Sequence, residues 1–240
     1  MAIGVGAAVA AALTVVLTSG GSPPAPTAPA AIARAINVQQ SDLAGFTVEP
    51  NAHATISGGP QERFNRCVGL GTALIADVRD SGDAAARGVS SPQFTSGSGL
   101  QTEAVSSTVA IEASRTAVTG KLAQARSQLA GHRVQDCLGQ ALDHVTYHYP
   151  SGASVALGDV HVYPVASPAG GTDGEVAIQV EMTMTASTGV SVPIYMDIFG
   201  FGVGRDALSL LTIGVQEPFP FATELRLASL MVNRATRLPH

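Results

Sequence analysis

The chain has 240 residues, of which 45% are hydrophobic and 13% charged, with a net charge of −5. This balance excludes disorder over most of the length, and the absence of any basic cluster along the sequence excludes a nucleic-acid footprint or a polybasic lipid-binding run. Tryptophan is absent and aromatic residues make up only 5%, so no platform for stacking sugars is visible.

No Asp, Glu, Lys or Arg precedes Arg34. Ala2 to Leu17 is an uncharged apolar run, and Ser22 to Ala31 is a proline-rich tract. That pairing reads as an export signal, or as a single membrane anchor with a spacer behind it. The run of about 16 residues is shorter than the ~20 needed to span a bilayer untilted. Ala28-Pro29-Ala30 resembles a cleavage site, whereas Leu17-Thr18-Ser19 outlines a lipoprotein signal whose cysteine position holds Gly20. Lipidation is therefore not expected, and cleavage or retention as an anchor both stay open. Residues 1–33 are assigned to this segment. Residues 34–240 form one domain, large enough to bury its own core and situated outside the cytoplasm.

Within the domain, Ile32 to Ile36 predicts a short helical turn leading into Ser41-Asp42, with Gly45 as a stop. Asn51 to Pro60 has loop chemistry, and Glu62 to Leu70 reads as a helix carrying Phe64, Cys67 and Val68 on its inner side. Arg79 to Gly99, rich in Gly, Ser and Asp, reads as a long surface excursion. Val105, Ser107, Val109 and Ile111 alternate as in a half-buried strand. Ser114 then caps a helix with Val118, Leu122, Ala125 and Leu129 on one face, ended by Gly131. A second helix comes next, with Val134, Leu138, Leu142 and Val145 on one face.

From Ser154 the period becomes two. One strand runs toward Val165, and Val176 to Thr185 alternates with no break. Thr188-Gly189 turns into a strand with Ile194, Met196 and Ile198, and Gly202 to Gly204 turns into Leu208, Leu210 and Thr212. Phe221 to Arg237 is a helix with Leu225, Ala228 and Val232 along one edge of its apolar face, widened by Leu227, Leu230 and Met231. The fold class is α+β: an antiparallel sheet of about five strands with flanking helices.

Cys67 and Cys137 are the only cysteines, an even count in an exported chain. The expected state is one disulfide, with two buried thiols as the alternative and a metal pair less favoured, because two thiolates without CxxC spacing make a poor zinc site. His144 and His148 are four apart, half of a zinc site, but the glutamate of H-E-x-x-H is absent, Pro150 stops any helix there, and two surface histidines at a helix end are the favoured reading. Gly200-Phe201-Gly202-Val203-Gly204 resembles part of a dinucleotide fingerprint, yet Leu208 to Ile213 reads as a strand where phosphate binding needs a helix N-terminus. Asp136 and Asp143, and Glu181 and Asp197 on adjacent strands, read as solvated acids. No serine lies in a G-x-S-x-G elbow. No catalytic residue, cofactor or metal site is therefore assigned. Met182, Met184 and Met196, with Met231, are adaptable side chains able to line an apolar cavity, and the first three are the candidate ligand-binding residues.

Short motifs give a further expectation. Gln40-Ser41-Asp42-Leu43-Ala44-Gly45-Phe46-Thr47, Arg66-Cys67, Ser91-Pro92-Gln93-Phe94 and Val105-Ser106-Ser107-Thr108-Val109 occur in that order. Asp136-Cys137-Leu138, Gly204-Arg205-Asp206-Ala207 and Glu224-Leu225-Arg226-Leu227-Ala228-Ser229-Leu230 come after them. Together they resemble actinobacterial secreted proteins and lipoproteins, including the extracellular sensor-like domain of a mycobacterial Ser/Thr kinase. The resemblance implies a non-enzymatic domain on an antiparallel sheet, a Cys67–Cys137 bond, and binding of a ligand or partner. Its further disulfide and lipidated cysteine have no counterpart here, nor is there a kinase domain. The expected function is that of an exported cell-envelope domain of sensor type, binding a small apolar ligand or an envelope protein. Nucleic acid is not an expected partner, and membrane contact is expected only through the N-terminal segment. An exported hydrolase with dispersed catalytic residues, or an interaction protein with no small ligand, are the alternatives.

Overall fold

Alternating strands that turn back on their predecessors pair antiparallel, and here every pairing is antiparallel. The computed structural model describes residues 28–48, 55–57, 67, 88–98, 101–129, 132–142, 146–148 and 154–238. Four α-helices are described, α1 (Ala28–Ile36), α2 (Arg115–Leu129), α3 (His132–Leu142) and α4 (Phe221–Arg237), together with a single 3-10 turn at Gln40–Asp42. The long strands are β5 (Gln101–Ile111), β7 (Ser154–Pro164), β8 (Gly174–Ala186), β9 (Ser191–Val203) and β10 (Asp206–Val215). Shorter ones are β1 (Thr47–Val48), β2 (Thr55–Ser57), β3 (Val89–Ser90), β4 (Phe94–Ser98) and β6 (Thr146–His148).

All ten strands join one sheet in the order β1-β4-β5-β10-β9-β8-β7-β6-β2, with β3 also on β5. The fold is α+β as expected, but the sheet has ten strands where the sequence pattern marks about five. The five long ones are those that the alternation marks; the short ones escape because two to five residues carry too little periodicity. In particular, β3 and β4 lie within the stretch expected to be a surface excursion. Their Gly and Ser residues contribute backbone hydrogen bonds to β5, and Phe94 alone supplies a large buried side chain.

The two sheet faces bury different cores. On one, Phe199, Phe201, Leu208 and Leu210 pack with Leu227, Ala228, Met231 and Val232 of α4 and with Ala33 and Ile36 of α1. On the other, Val180, Met182, Met184, Ile194, Met196 and Ile213 pack together with Leu157 and, at their margin, Leu129 of α2. The glycine-rich end of β9 explains how α2 settles there. A Cβ on Gly202 would stand 2.6 Å from Val118 and 3.0 Å from Leu122, so the helix rests directly on strand backbone. Gly202 stays within the strand, and the reversal falls at Gly204 (φ 58°) and Arg205 instead. Ser114 caps α2 as expected, its Oγ accepting from the Ala117 amide at 3.1 Å.

The N-terminal stretch is locked to α4 by polar contacts. Arg234 donates two hydrogen bonds of 2.8 Å to the Asp42 carboxylate and one of 2.9 Å to the Asn37 carbonyl. Buried Asn37 donates to the Val89 carbonyl and accepts from Ser107, whose Oγ accepts in turn from the Val38 amide. Bidentate arginine–carboxylate pairs of this kind fix geometry as well as adding energy. Cys67 and Cys137 form the expected disulfide, tying α3 to residue 67 across a separation of 70 residues.

Two stability measurements test this packing. Gly202→Val is expected to lower unfolding free energy by about 1–3 kcal/mol, because two α2 side chains must be displaced; urea denaturation measures it, and an unchanged midpoint would refute the close contact. Replacing both cysteines by alanine is expected to cost roughly 2–4 kcal/mol, the usual effect of opening a long loop.

Candidate functional site

Helix α4 lies on β9 and β10, and α1 on β5, so the β7–β8 part of this face has neither helix above it. The register places two polar rows there. Tyr163, Gln179, Asp197 and Thr212 are aligned across β7, β8, β9 and β10, and His161, Glu181, Tyr195 and Gly214 form the next row. At the usual strand spacing each row spans about 15 Å. Exposure falls along the first row from 43% at Tyr163 to 4% at Asp197 and 0% at Thr212. The rings of His161 and Tyr163 stack at 6.3 Å at the open end.

The closed end is a buried acid pair. Residues preceding α4 fold back over β10 at Gly214, where a Cβ would lie 2.1 Å from the Glu217 carbonyl oxygen. This tight return delivers Phe219 into the core and sets Glu224, in the first turn of α4, above the row. Thr212 Oγ1 donates to Glu224 Oε1 at 2.5 Å, and Gln179 Nε2 donates to Asp197 Oδ1 at 2.9 Å. Burial pushes the Glu224 carboxyl up to about 7; the Thr212 hydrogen bond opposes this, while the Asp197 charge and the hydrogen bond to Asp197 reinforce it. Burial also raises Asp197, which hydrogen bonds from Gln179 and Glu224 pull back down and the Glu181 charge pushes up. Burial thus pushes both carboxyls toward the protonated form, and the two titrate as a pair.

Alternation alone makes Asp197 a solvated acid on an outward face; it is buried because α4 covers that half of the face. Motif reading passes over Glu224, whose signal is positional: it precedes Leu227 and Ala228 by three and four residues and so lies on the inward stripe. Leu225, expected on the apolar edge, is 45% exposed. Met182, Met184 and Met196 are buried side by side in the α2-side core, while Met231 is buried on the opposite side of the sheet. The sheet thus separates the four methionines. His144, Asp143 and the side chain of His148 lie outside the described residues, as does the expected helix at Glu62–Leu70 apart from Cys67. Of the expected Asn51–Pro60 loop only Thr55–Ser57 is described, and it pairs with β6 as strand β2 instead of looping. Asp136 is exposed on α3. The Gly200–Gly204 segment leads into β10, so no helix N-terminus comes after it.

Two adjacent carboxyls with raised proton affinity are the raw material of a general acid–base couple. Here both members are enclosed, and among the described residues no serine, cysteine or histidine hydrogen-bonds to either. Among the described residues no three His, Cys, Asp or Glu side chains gather as metal ligands. The arrangement offers solvent a graded polar surface of aromatic, amide, imidazole and carboxylate groups.

No protein-family model and no curated protein matches this chain. Among solved structures, the extracellular domain of PknH from Mycobacterium tuberculosis is similar over 91% of this chain and 100% of its own, at 9% identity and a TM-score of 0.41.

The acid pair makes stability depend on pH in a defined direction. Glu224 holds its proton to about 7 when folded, against an ordinary value of 4.5, so its contribution is complete below 4.5 and is lost as pH rises to about 7. Denaturation curves of the native chain minus those of Glu224→Gln are expected to decline over that window by about 2–3 kcal/mol. A pH-independent difference would refute the raised Glu224 carboxyl.

Proposed function

We propose that this chain acts outside the cytoplasm as a non-catalytic, sensor-type recognition domain that engages another component of the cell envelope through the open half of the α4-side sheet face. The observation that carries this reading is the gradient from exposed His161 and Tyr163 to the enclosed Asp197–Glu224 pair. A surface with adaptable groups outside and a rigid, fully hydrogen-bonded base recognises a partner without reorganising. The Cys67–Cys137 disulfide and the apolar run at residues 2–17 support an oxidising compartment.

A large partner fits this surface better than a small apolar molecule. Met182, Met184 and Met196 are packed among Leu157, Val180, Ile194 and Ile213, and an apolar ligand would have to displace that packing. Hydrolysis finds less support, since a positioned nucleophile is not part of the acid pair's contacts.

The test is site-specific photo-crosslinking in the host envelope, with the reactive residue at Tyr163 or, as a control, at Asp136 on α3. A discrete adduct from Tyr163 that is absent from Asp136 and lost in Glu181→Lys is the expected outcome. Identical patterns at both positions would defeat the proposed surface. Native mass spectrometry of chain purified from its own host separates the apolar-ligand alternative, which requires a co-purifying lipid.

A further inference from the structure

The helices α1 and α4 pack against one another, and their outward surfaces have a charge opposite to that of the molecule. Their basic residues are Arg34, Arg226, Arg234 and Arg237, and the single acid in either helix, Glu224, points into the core. Arg234 is engaged with Asp42, and Arg226 donates to the Asp42 carbonyl at 2.8 Å. Arg34 and Arg237 form no ion pair among the described residues and are exposed. The same layer exposes Phe221 at 58% and Leu225 at 45%. A groove of about 440 Å³ runs along α4 between Arg226, Ser229, Leu230, Asn233, Arg234 and Arg237.

Basic and apolar side chains on one helical surface, without acids, suit the interface of an anionic bilayer, where arginine meets phosphate and the apolar groups enter the headgroup boundary. Chain connectivity points the same way. The apolar run at residues 2–17 and the proline-rich tract lead straight into α1, so a membrane engaged by that run would be nearest to this layer. Among the described residues, no helix is long and apolar enough to cross a bilayer.

We infer that the outward side of α1 and α4 is a docking surface for anionic phospholipid headgroups, holding the domain against the bilayer with the open sheet surface available to partners. The membrane-side part rests on reading residues 2–17 as an export or anchor segment. Headgroup binding itself is independent of the envelope partner proposed above.

The experiment measures partition of the full chain into vesicles of phosphatidylcholine alone and of phosphatidylcholine with phosphatidylglycerol. The ratio of the two cancels the contribution of the apolar run. Arg34→Gln with Arg237→Gln is expected to lower that ratio about fivefold per arginine, and high salt to remove it. Arg34→Lys with Arg237→Lys should retain most of the ratio, and Arg115→Gln with Arg126→Gln on α2 should leave it unchanged. Circular dichroism verifies folding of each variant. Equal partition into both vesicles, an equal fall for the α2 variant, or a Gln variant that keeps the ratio would overturn the inference. Full competition by free glycerophosphate would also overturn it, assigning the groove to a soluble phosphate. Loss of the crosslinked partner with vesicle binding intact would affect only the preceding proposal.

Discussion

Strand β9 carries opposite demands on its two sides, and the placement of α2 and α4 depends on them. At its C-terminal end Phe199 and Phe201 face one way while Gly200 and Gly202 face the other. Two phenylalanines require a covering layer to remove them from water, each worth roughly 2–3 kcal/mol when fully buried. Glycines supply no such area, but they admit a helix closer than any other residue allows. Helix α4 answers the first demand and α2 the second. A single strand thereby sets a thick apolar layer on one side and a close helix–backbone contact on the other.

Coverage of the phenylalanine side is incomplete, and that incompleteness creates the polar site. Helix α4 reaches β9 and β10, so Asp197 and Thr212 are enclosed while Gln179 and Tyr163 on the same row grade into solvent. Glu224 is carried into the enclosed end because the chain returns tightly across Gly214. Once there, it is cut off from solvent, and burial beside Asp197 raises the proton affinity of both acids. The same helix is held at its other end by Arg234 on Asp42, so α4 connects the acid pair to the N-terminal stretch.

Legibility of the sequence tracks the length over which a period can be counted. Helix α4 has the bounds that its apolar spacing implies, and β8 begins two residues before Val176 and ends one after Thr185. Strands β3 and β4 are hidden in a Gly- and Ser-rich stretch because their pairing is made by backbone, which composition does not record. Glu224 offers one legible sign, an acid on an inward stripe, but its partner lies 27 positions earlier on another element. Asp197 obeys the alternation, which sets it on the same face as Gln179; its burial depends on where a distant helix comes to rest.

By itself, the order of residues determined the α+β class, the five long strands, the helix after Ser114 and the closing helix, since each depends on contacts among near neighbours. It also made one disulfide the expected state of the two cysteines, which the structure then formed. Tertiary structure alone decided that ten strands share one sheet, that the methionines are divided between its two sides, and that Asp197 meets Glu224. It likewise drew arginines scattered from position 34 to position 237 into one helical layer. The reason is common to all of these: they depend on which surfaces meet, and pairing between distant segments leaves no period in either one.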